Sequence, residues 1–252
     1  MTETPFTIVT TCVGFDDLLA VTLPLNCQWP AKTVVITSCE DAGTIAVVAK
    51  CDHQSDVQLH VTGAFRQGGA EFNKGAALSE VLDRLSGWVL LVDADIVLPT
   101  RTNLDDLDPE CVYNAFRRML LDPLEYRPDL DWITLPEGPE RTNNEYPGYA
   151  QAFHLDCSRL RDRPVYPTDW KHAGGSDSFF VKKYPPEHRR RLPFEVLHLG
   201  TAGVNWCGRV TPRLDGTEPP NAMNHSSRMT EYRVIRTLTG SYENELITPK
   251  AP

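Results

Sequence analysis

FNKGAALSEVLDRLSGWVLLVDADIVLP (Phe72–Pro99) decides the fold. Leu78, Val81, Leu82 and Leu85 follow the i, i+3, i+4, i+7 spacing of one helical face, and Gly87 ends the helix they predict. Trp88–Val92 (WVLLV) then runs without a polar break, as expected of a central parallel strand buried on both faces. It leads directly into Asp93-Ala94-Asp95. On an extended chain residues i and i+2 point to the same side, so the two carboxylates can face one ion. Ligands of open α/β sheets gather at the carboxyl ends of strands, and carboxylate oxygens suit Mg²⁺ or Mn²⁺. Asp106-Leu107-Asp108 and Asp129-Leu130-Asp131 repeat the pattern, but in acidic, loop-like stretches with no apolar strand before them. Context therefore selects Asp93 and Asp95, with an acidic strand-end turn as the plainer alternative.

Outward from this stretch the first hundred residues alternate strand and helix. Phe6–Cys12 is β-branched and strand-like. Asp16 and Asp17 open a short helix expected to stop before Pro24. Thr33–Thr37 reads as a second strand, Thr44–Lys50 as a helix, and Val57–Val61 as a third strand. The order is βαβαβαβ, an α/β layer fold. Past Asp95 the chain turns irregular. A helical patch is predicted over Val112–Leu121, and strands over Trp132–Leu135, Gly148–Leu155 and Phe194–Leu199. A Pro/Gly loop spans 164–176, and a further helical patch covers Met229–Leu238. One domain over 1–210 is expected, with a nucleotide-type half at 1–100 and an acceptor-facing half at 101–210. A polar tail with a short helix follows at 211–252.

Composition narrows the class. The 252 residues are 41% hydrophobic, enough for one sizeable core and unlike a disordered chain. No apolar run of about 18 residues is present, so no membrane span is expected. The opening MTETPFTIVTT lacks a basic segment before an apolar one, so no secretory signal is read there. Seven cysteines (Cys12, Cys27, Cys39, Cys51, Cys111, Cys157, Cys207) stand singly, without a Cys-x-x-Cys. That pattern fits a reducing, cytoplasmic compartment rather than a disulfide scaffold or a zinc knuckle. A net charge of −9 argues against a general nucleic-acid binder. Residues 161–191, however, carry eight Lys/Arg against four acids. This +4 segment is either a local basic surface or a solvated helix end.

Familiar nucleotide signatures are absent: there is no GxGxxG after the first strand and no GxxxxGK[ST]. Phe72–Pro99 instead resembles the family-2-like glycosyltransferases of the GT-A fold, where an Asn-Lys-Gly-x-Ala helix precedes a strand ending in a metal-binding Asp-x-Asp. The strands TIVTTC and TVVITSCED match that family in order and spacing. The resemblance covers about residues 5–100. It implies a Rossmann-like nucleotide-diphospho-sugar transferase fold, with a mostly parallel central sheet and an irregular acceptor side. It also implies sugar transfer from a nucleotide-diphosphate sugar, a UDP-sugar first. Trp170-Lys-His-Ala-Gly-Gly-Ser-Asp resembles the Trp-Gly-Gly-Glu-Asp region of metal-dependent inverting galactosyltransferase-type enzymes, with Ser176 where that family has Glu. Asp177 is the aligned carboxylate and the implied catalytic base; from the residues alone it reads equally as a helix N-cap. Trp170, Gly175 and Ser176 fall on the acceptor side of that match.

Val196–Gly200 resembles the strand that supplies a third metal ligand, which makes His198 the candidate; a satisfied core histidine is the alternative. An imidazole beside Asp93 and Asp95 favours Mn²⁺ over Mg²⁺. Thr11, and Glu40 or Asp41, occupy the family's nucleoside-contact positions. Arg66 and Lys74 are candidate cationic contacts to the nucleotide or diphosphate, with ordinary surface charge the alternative for Arg66. Trp206 and Arg209 are candidates to cover the donor and to touch a phosphate. The expected reaction is inverting, with Asp177 taking the proton of an acceptor hydroxyl. A glycan, a metabolite, a protein, or a hydroxymethylated DNA base of phage type all satisfy the chemistry. Nucleotidyl transfer and a non-catalytic nucleotide-sugar or metal-binding module are the other classes that fit.

Overall fold

The computed structural model describes residues 6–52, 56–100, 104–143, 145–172, 175–201, 205, 209 and 211–217, and the backbone of strands at 231–236 and 242–247. Trp206 lies outside the described residues. The N-terminal half is built as expected. Strands β1 (Phe6–Thr11), β2 (Lys32–Ser38), β3 (Val57–Thr62) and β4 (Trp88–Val92) alternate with helices α1 (Asp16–Asn26), α2 (Ala42–Ala49) and α3 (Lys74–Leu82). Strands β5 (Ile96–Val97), β6 (Val112–Leu120), β7 (Ala150–His154) and β8 (Arg189–Leu199) complete an eight-stranded sheet in the order β3-β2-β1-β4-β7-β6-β8-β5. β3, β2, β1 and β4 are parallel; β7 runs against both β4 and β6, β8 runs with β6, and β5 runs against β8. Short helices α4 (Glu140–Asn143) and α5 (Ser176–Val181) follow β6 and β7 respectively. A separate pair, β9 (Glu231–Arg236) and β10 (Tyr242–Ile247), is antiparallel.

β4 shows why an unbroken apolar run is needed at the centre. Val89 and Leu91 pack with α3 residues Ala77, Leu78, Val81 and Leu82, and with Tyr166, Phe180 and Tyr184. Trp88, Leu90 and Val92 pack on the opposite face, with Ile8, Trp29, Tyr113 and Phe194. The period-2 alternation of a strand therefore feeds two cores at once.

Four expectations are corrected. α1 runs through Pro24 to Asn26. Pro24 forfeits one intrahelical bond near the helix end, but the last turn is held by tertiary contacts. Asn26 Nδ2 donates to the Ile96 carbonyl (2.9 Å) and its Oδ1 accepts from Leu98 N–H (2.8 Å). Val112–Leu120 is a strand, not a helix, because β7 and β8 pair with its two edges, and most of its residues are buried. These partners lie far along the chain, so no local pattern reveals them. Trp132–Thr134 is one helical turn, with the Asp131 side chain accepting from Ile133 N–H. Glu231–Arg236, inside the helical patch expected at 229–238, is a strand paired with β10. β8 is also longer than expected. It slips register where Asn114 pairs Arg191 but Phe116 pairs Glu195, around Pro193, which cannot donate to a ladder.

The start of the expected polar tail makes contacts with α1. Arg209 and Arg213 grip Asp17 and Asp16 at the start of α1, and Leu214 N–H donates to Asp17 Oδ2 at 2.7 Å. Arg209, Arg213 and Leu214 are thus tied to the start of α1, on either side of the expected boundary at 210.

Candidate active site

The carboxyl ends of β1, β2, β4 and β8 and the start of β7 lie along one edge, with the first turns of α3 and α5 facing it. Each residue of Asn73-Lys74-Gly75 has a separate job there. Asn73 caps α3, its Oδ1 accepting from Ala76 N–H at 2.9 Å, while its Nδ2 donates to the Thr168 carbonyl at 2.6 Å. Gly75 allows the helix to press on that loop: a Cβ would lie 1.7 Å from the Pro167 carbonyl oxygen. Lys74 turns to β4 and donates to Asp93 Oδ1. A lysine in the first turn opposes the helix dipole, so its placement needs an anionic partner, which Asp93 supplies. Burial works against the Lys74 charge, but Asp93 foremost, then Asp177 and Asp95, raise its pKa above the ordinary lysine value.

Asp95 lies two residues on, where its carboxylate faces β8. His198 pairs with Ile96 across the β5–β8 ladder, which brings its Nε2 to 3.6 Å from Asp95 Oδ2. His198 Nδ1 is 3.0 Å from the Gly200 carbonyl. A carbonyl only accepts, so Nδ1 donates to it and Nε2 is the ring nitrogen that faces Asp95; an Nδ1–H bond to a backbone carbonyl is the contact that orients metal-binding histidines. Asp95 Oδ1 is buried and has no hydrogen-bond partner among the described residues. Burial raises the Asp95 carboxyl pKa; His198 pulls it down and Asp93 pushes it up. A buried carboxylate oxygen beside an imidazole nitrogen fits a divalent cation, which often takes one or two carboxylates and fills its other positions with phosphate and water. Among the described residues no group of three or more His, Cys, Asp or Glu side chains could hold a metal. Asp93, expected in the ligand set, is engaged by Lys74.

Asp177 sits in the first turn of α5. The N-cap of that helix is Gly175, at φ +89°, so Asp177 is not its cap. Its Oδ2 accepts from Gly148 N–H across the site. Three carboxylates thus surround one lysine. Tyr166 reports the same crowding: burial, then Asp177 and Asp93, drive its hydroxyl pKa well above the ordinary value.

The remaining candidates divide. Thr11 is buried at the end of β1, and Glu40 is exposed after β2. Asp41 is structural: its carboxylate caps α2 through Thr44 N–H (3.0 Å) and accepts from Gly14 N–H (2.8 Å). Arg66 is exposed and donates to the Glu71 carbonyl. Arg209 is buried with all three guanidinium nitrogens bonded to the protein: to Asp17, and to the carbonyls of Gly14, Thr211 and Pro212. That arrangement serves the clasp on α1 rather than a phosphate. Trp170 lies against Gly175 and packs 5.6 Å from the Phe179 ring; Ser176 is buried. Gly148 and the buried Tyr166–Gln151 pair are not identified from sequence, and Asn73 is read only as part of the Asn-Lys-Gly-x-Ala match. Only Asn73 carried a local signal, as a polar residue just before a helix.

No family model and no curated protein matches the chain. Solved structures do. Residues 1–349 of Staphylococcus aureus TarS superpose with a TM-score of 0.55 at 16% identity, over 78% of this chain and 60% of that one. The TarS structure with UDP-GlcNAc gives 0.56 at 13%, over 84% and 61%, and the one with UDP gives 0.55 at 13%, over 78% and 61%. The chain spans about six-tenths of the length of these TarS chains. The shared architecture is the Rossmann-like GT-A fold, with an irregular C-terminal region. Among the described residues no helix is long and apolar enough to cross a membrane.

Proposed function

We propose that the chain is an inverting glycosyltransferase that moves a sugar from a nucleotide-diphosphate sugar, a UDP-sugar first, to an acceptor hydroxyl. The observation that carries this reading is the convergence of Lys74, Asp93, Asp95, His198 and Asp177 on one strand edge of a GT-A fold. Asp95 and His198 would hold a divalent cation, Mn²⁺ before Mg²⁺ because of the imidazole. When bound, the cation supplies charge neutralisation to the departing diphosphate. Lys74 fixes the Asp93 carboxylate and adds a buried positive charge to the diphosphate side. Asp177, oriented by Gly148 N–H, accepts the proton of the acceptor hydroxyl as its oxygen attacks the anomeric carbon. In this reading Thr11 and Glu40 serve the nucleoside side of the site, and Trp170, Gly175 and Ser176 the acceptor side.

A hydroxymethylated base in DNA is the acceptor that the surface around α5 favours. Phe179 is half-exposed beside Trp170, and exposed Lys171, His172 and Lys182 flank them. Aromatic platforms among cations suit an unstacked base on a phosphate backbone. Two other cations of segment 161–191 pair with acids, Arg163 with Asp83 and Arg190 with Asp108.

Thermal unfolding against a panel of nucleotide-diphosphate sugars, with and without Mn²⁺, tests the donor. Saturation at about 100 times Kd adds about 2.7 kcal/mol. The expected result is a shift that needs both metal and one nucleotide, lost in Asp95→Asn and His198→Ala. Asp177→Asn is expected to keep that shift and lose transfer. Stabilisation by nucleoside triphosphates with pyrophosphate release would replace this reading with nucleotidyl transfer. Donor binding without transfer to any acceptor or to water would indicate a binding module.

A further inference from the structure

Asp177 and Asp93 come from distant parts of the chain, yet both are tied to one tetrapeptide, Tyr146–Tyr149. Gly148 N–H donates to Asp177 Oδ2, and Asp93 N–H donates to the Tyr149 carbonyl at 2.9 Å. Side chains from the sheet anchor the tetrapeptide. Asn114 Nδ2 donates to the Pro147 carbonyl (2.6 Å), and Gln151 Nε2 to that of Tyr146 (3.4 Å). The Tyr149 hydroxyl donates to the Ala115 carbonyl (2.6 Å) and lies 2.8 Å from Glu140 Oε1, with the Arg117 guanidinium 4.3 Å from the ring centroid.

Asn114 and Gln151 are register partners on β6 and β7, both fully buried. A buried amide is costly unless it is bonded, and Asn114 Oδ1 has no hydrogen-bond partner among the described residues. An apolar side chain would suit that strand better if packing were the only demand. Gly148 is equally constrained, since a Cβ there would lie 2.4 Å from Asp177 Cβ and 2.8 Å from its Oδ2.

We infer that Tyr146–Tyr149 is a positioning device, in which Gly148 and Asn114 hold the Asp177 carboxylate at a set place relative to the end of β4. The inference rests on the proposed role of Asp177 as base. Gly148 donates to one carboxylate oxygen and leaves the other to take the proton. Asn114 acts through Pro147 and touches no reacting atom.

Two measurements test it. In ¹⁵N–¹H spectra the Gly148 amide, assigned by its loss in Gly148→Ala, is expected downfield, to move as Asp177 is titrated with acid, and to shift upfield in Asp177→Asn. This readout needs neither activity nor a core variant. In parallel, hydrolysis of UDP-glucose and UDP-N-acetylglucosamine with Mn²⁺ is followed in Gly148→Ala and Asn114→Ala. A displacement of about 1 Å at the base predicts a fall in kcat of about 100-fold for Gly148→Ala, and a smaller fall for Asn114→Ala, with donor KM within about twofold. A Gly148 amide indifferent to Asp177→Asn, or a folded Gly148→Ala with wild-type kcat, overturns the inference. If wild type turns over neither donor nor any acceptor while the amide still follows Asp177, the transferase reading fails and the positioning contact stands.

Discussion

Replacing Gly75 by alanine should destabilise this protein, against the usual effect of that exchange in a helix. Alanine ordinarily gains about 0.5–1 kcal/mol over glycine inside a helix. Here the new methyl would lie 1.7 Å from the Pro167 carbonyl oxygen and 2.9 Å from its carbon, both backbone atoms. Neither is the end of a flexible side chain, so α3 and the 167–168 loop must part. Overpacking of this kind costs about 1–3 kcal/mol. Separation also lengthens the 2.6 Å bond from Asn73 Nδ2 to the Thr168 carbonyl, a further cost of about 1 kcal/mol. Net of the helix gain, Gly75→Ala should lose about 1–3 kcal/mol. With a urea slope of about 2–3 kcal/mol/M, the midpoint falls by about 0.3–1.5 M. Gly63→Ala is the control, because Gly63 has φ −86° and nothing within 4 Å of its Cβ position; it should stay within about 0.5 kcal/mol of wild type. Equilibrium urea unfolding followed by circular dichroism reads both. A Gly75→Ala protein as stable as wild type, or more stable, would refute the close approach and the reason given for a glycine between Lys74 and Ala76.

Other consequences can be measured on the same material. Lys74→Met leaves Asp93 without its cation at a partly buried site; a stability loss of about 1–3 kcal/mol in urea unfolding is expected, together with loss of donor-dependent stabilisation. Asn26→Leu orphans the Leu98 N–H and the Ile96 carbonyl, at about 2–4 kcal/mol, and should uncouple α1 from β5 in amide exchange. The Arg209–Asp17 clasp predicts a pH dependence. Burial opposes the Asp17 charge, but Arg209 and the Leu214 amide outweigh it and hold the carboxyl below its ordinary value of 3.8. A depressed carboxyl pKa gives stability that is complete above that ordinary value and is lost as pH falls through the folded one. Thermal unfolding from pH 6 to pH 2 should therefore fall less steeply below about pH 4 in Asp17→Asn than in wild type; parallel curves would remove Asp17 from the acid response.

How far the sequence could be read depended on how local each interaction is. The β1–β4 half was legible because its signals lie within short windows: an apolar strand buried on both faces, a helical stripe, and Asn73 ahead of Lys74 at a helix start. Asp93 and Asp95 were legible for the same reason, since a buried strand runs directly into them. β6 was misread because its strand state depends on β7 and β8, and α1 was cut short because Asn26 reaches residues some 70 positions away. Side-chain assignments were hardest wherever a group had several jobs open to it. Asp41 and Arg209 are chemically suited to a nucleotide, but packing commits the first to the α2 cap and Gly14, and the second to Asp17. Asp177 reads from sequence as either a base or a cap. Only the fold sets Gly175 at the cap and brings Gly148 N–H to the carboxylate. The sequence by itself therefore determined the layer architecture and which strand end carries the acids, because periodicity and burial are properties of contiguous residues. Tertiary structure alone decided which charges meet there, because Lys74, Asp93, Asp177 and His198 are brought together by sheet order and loop packing that no contiguous stretch encodes.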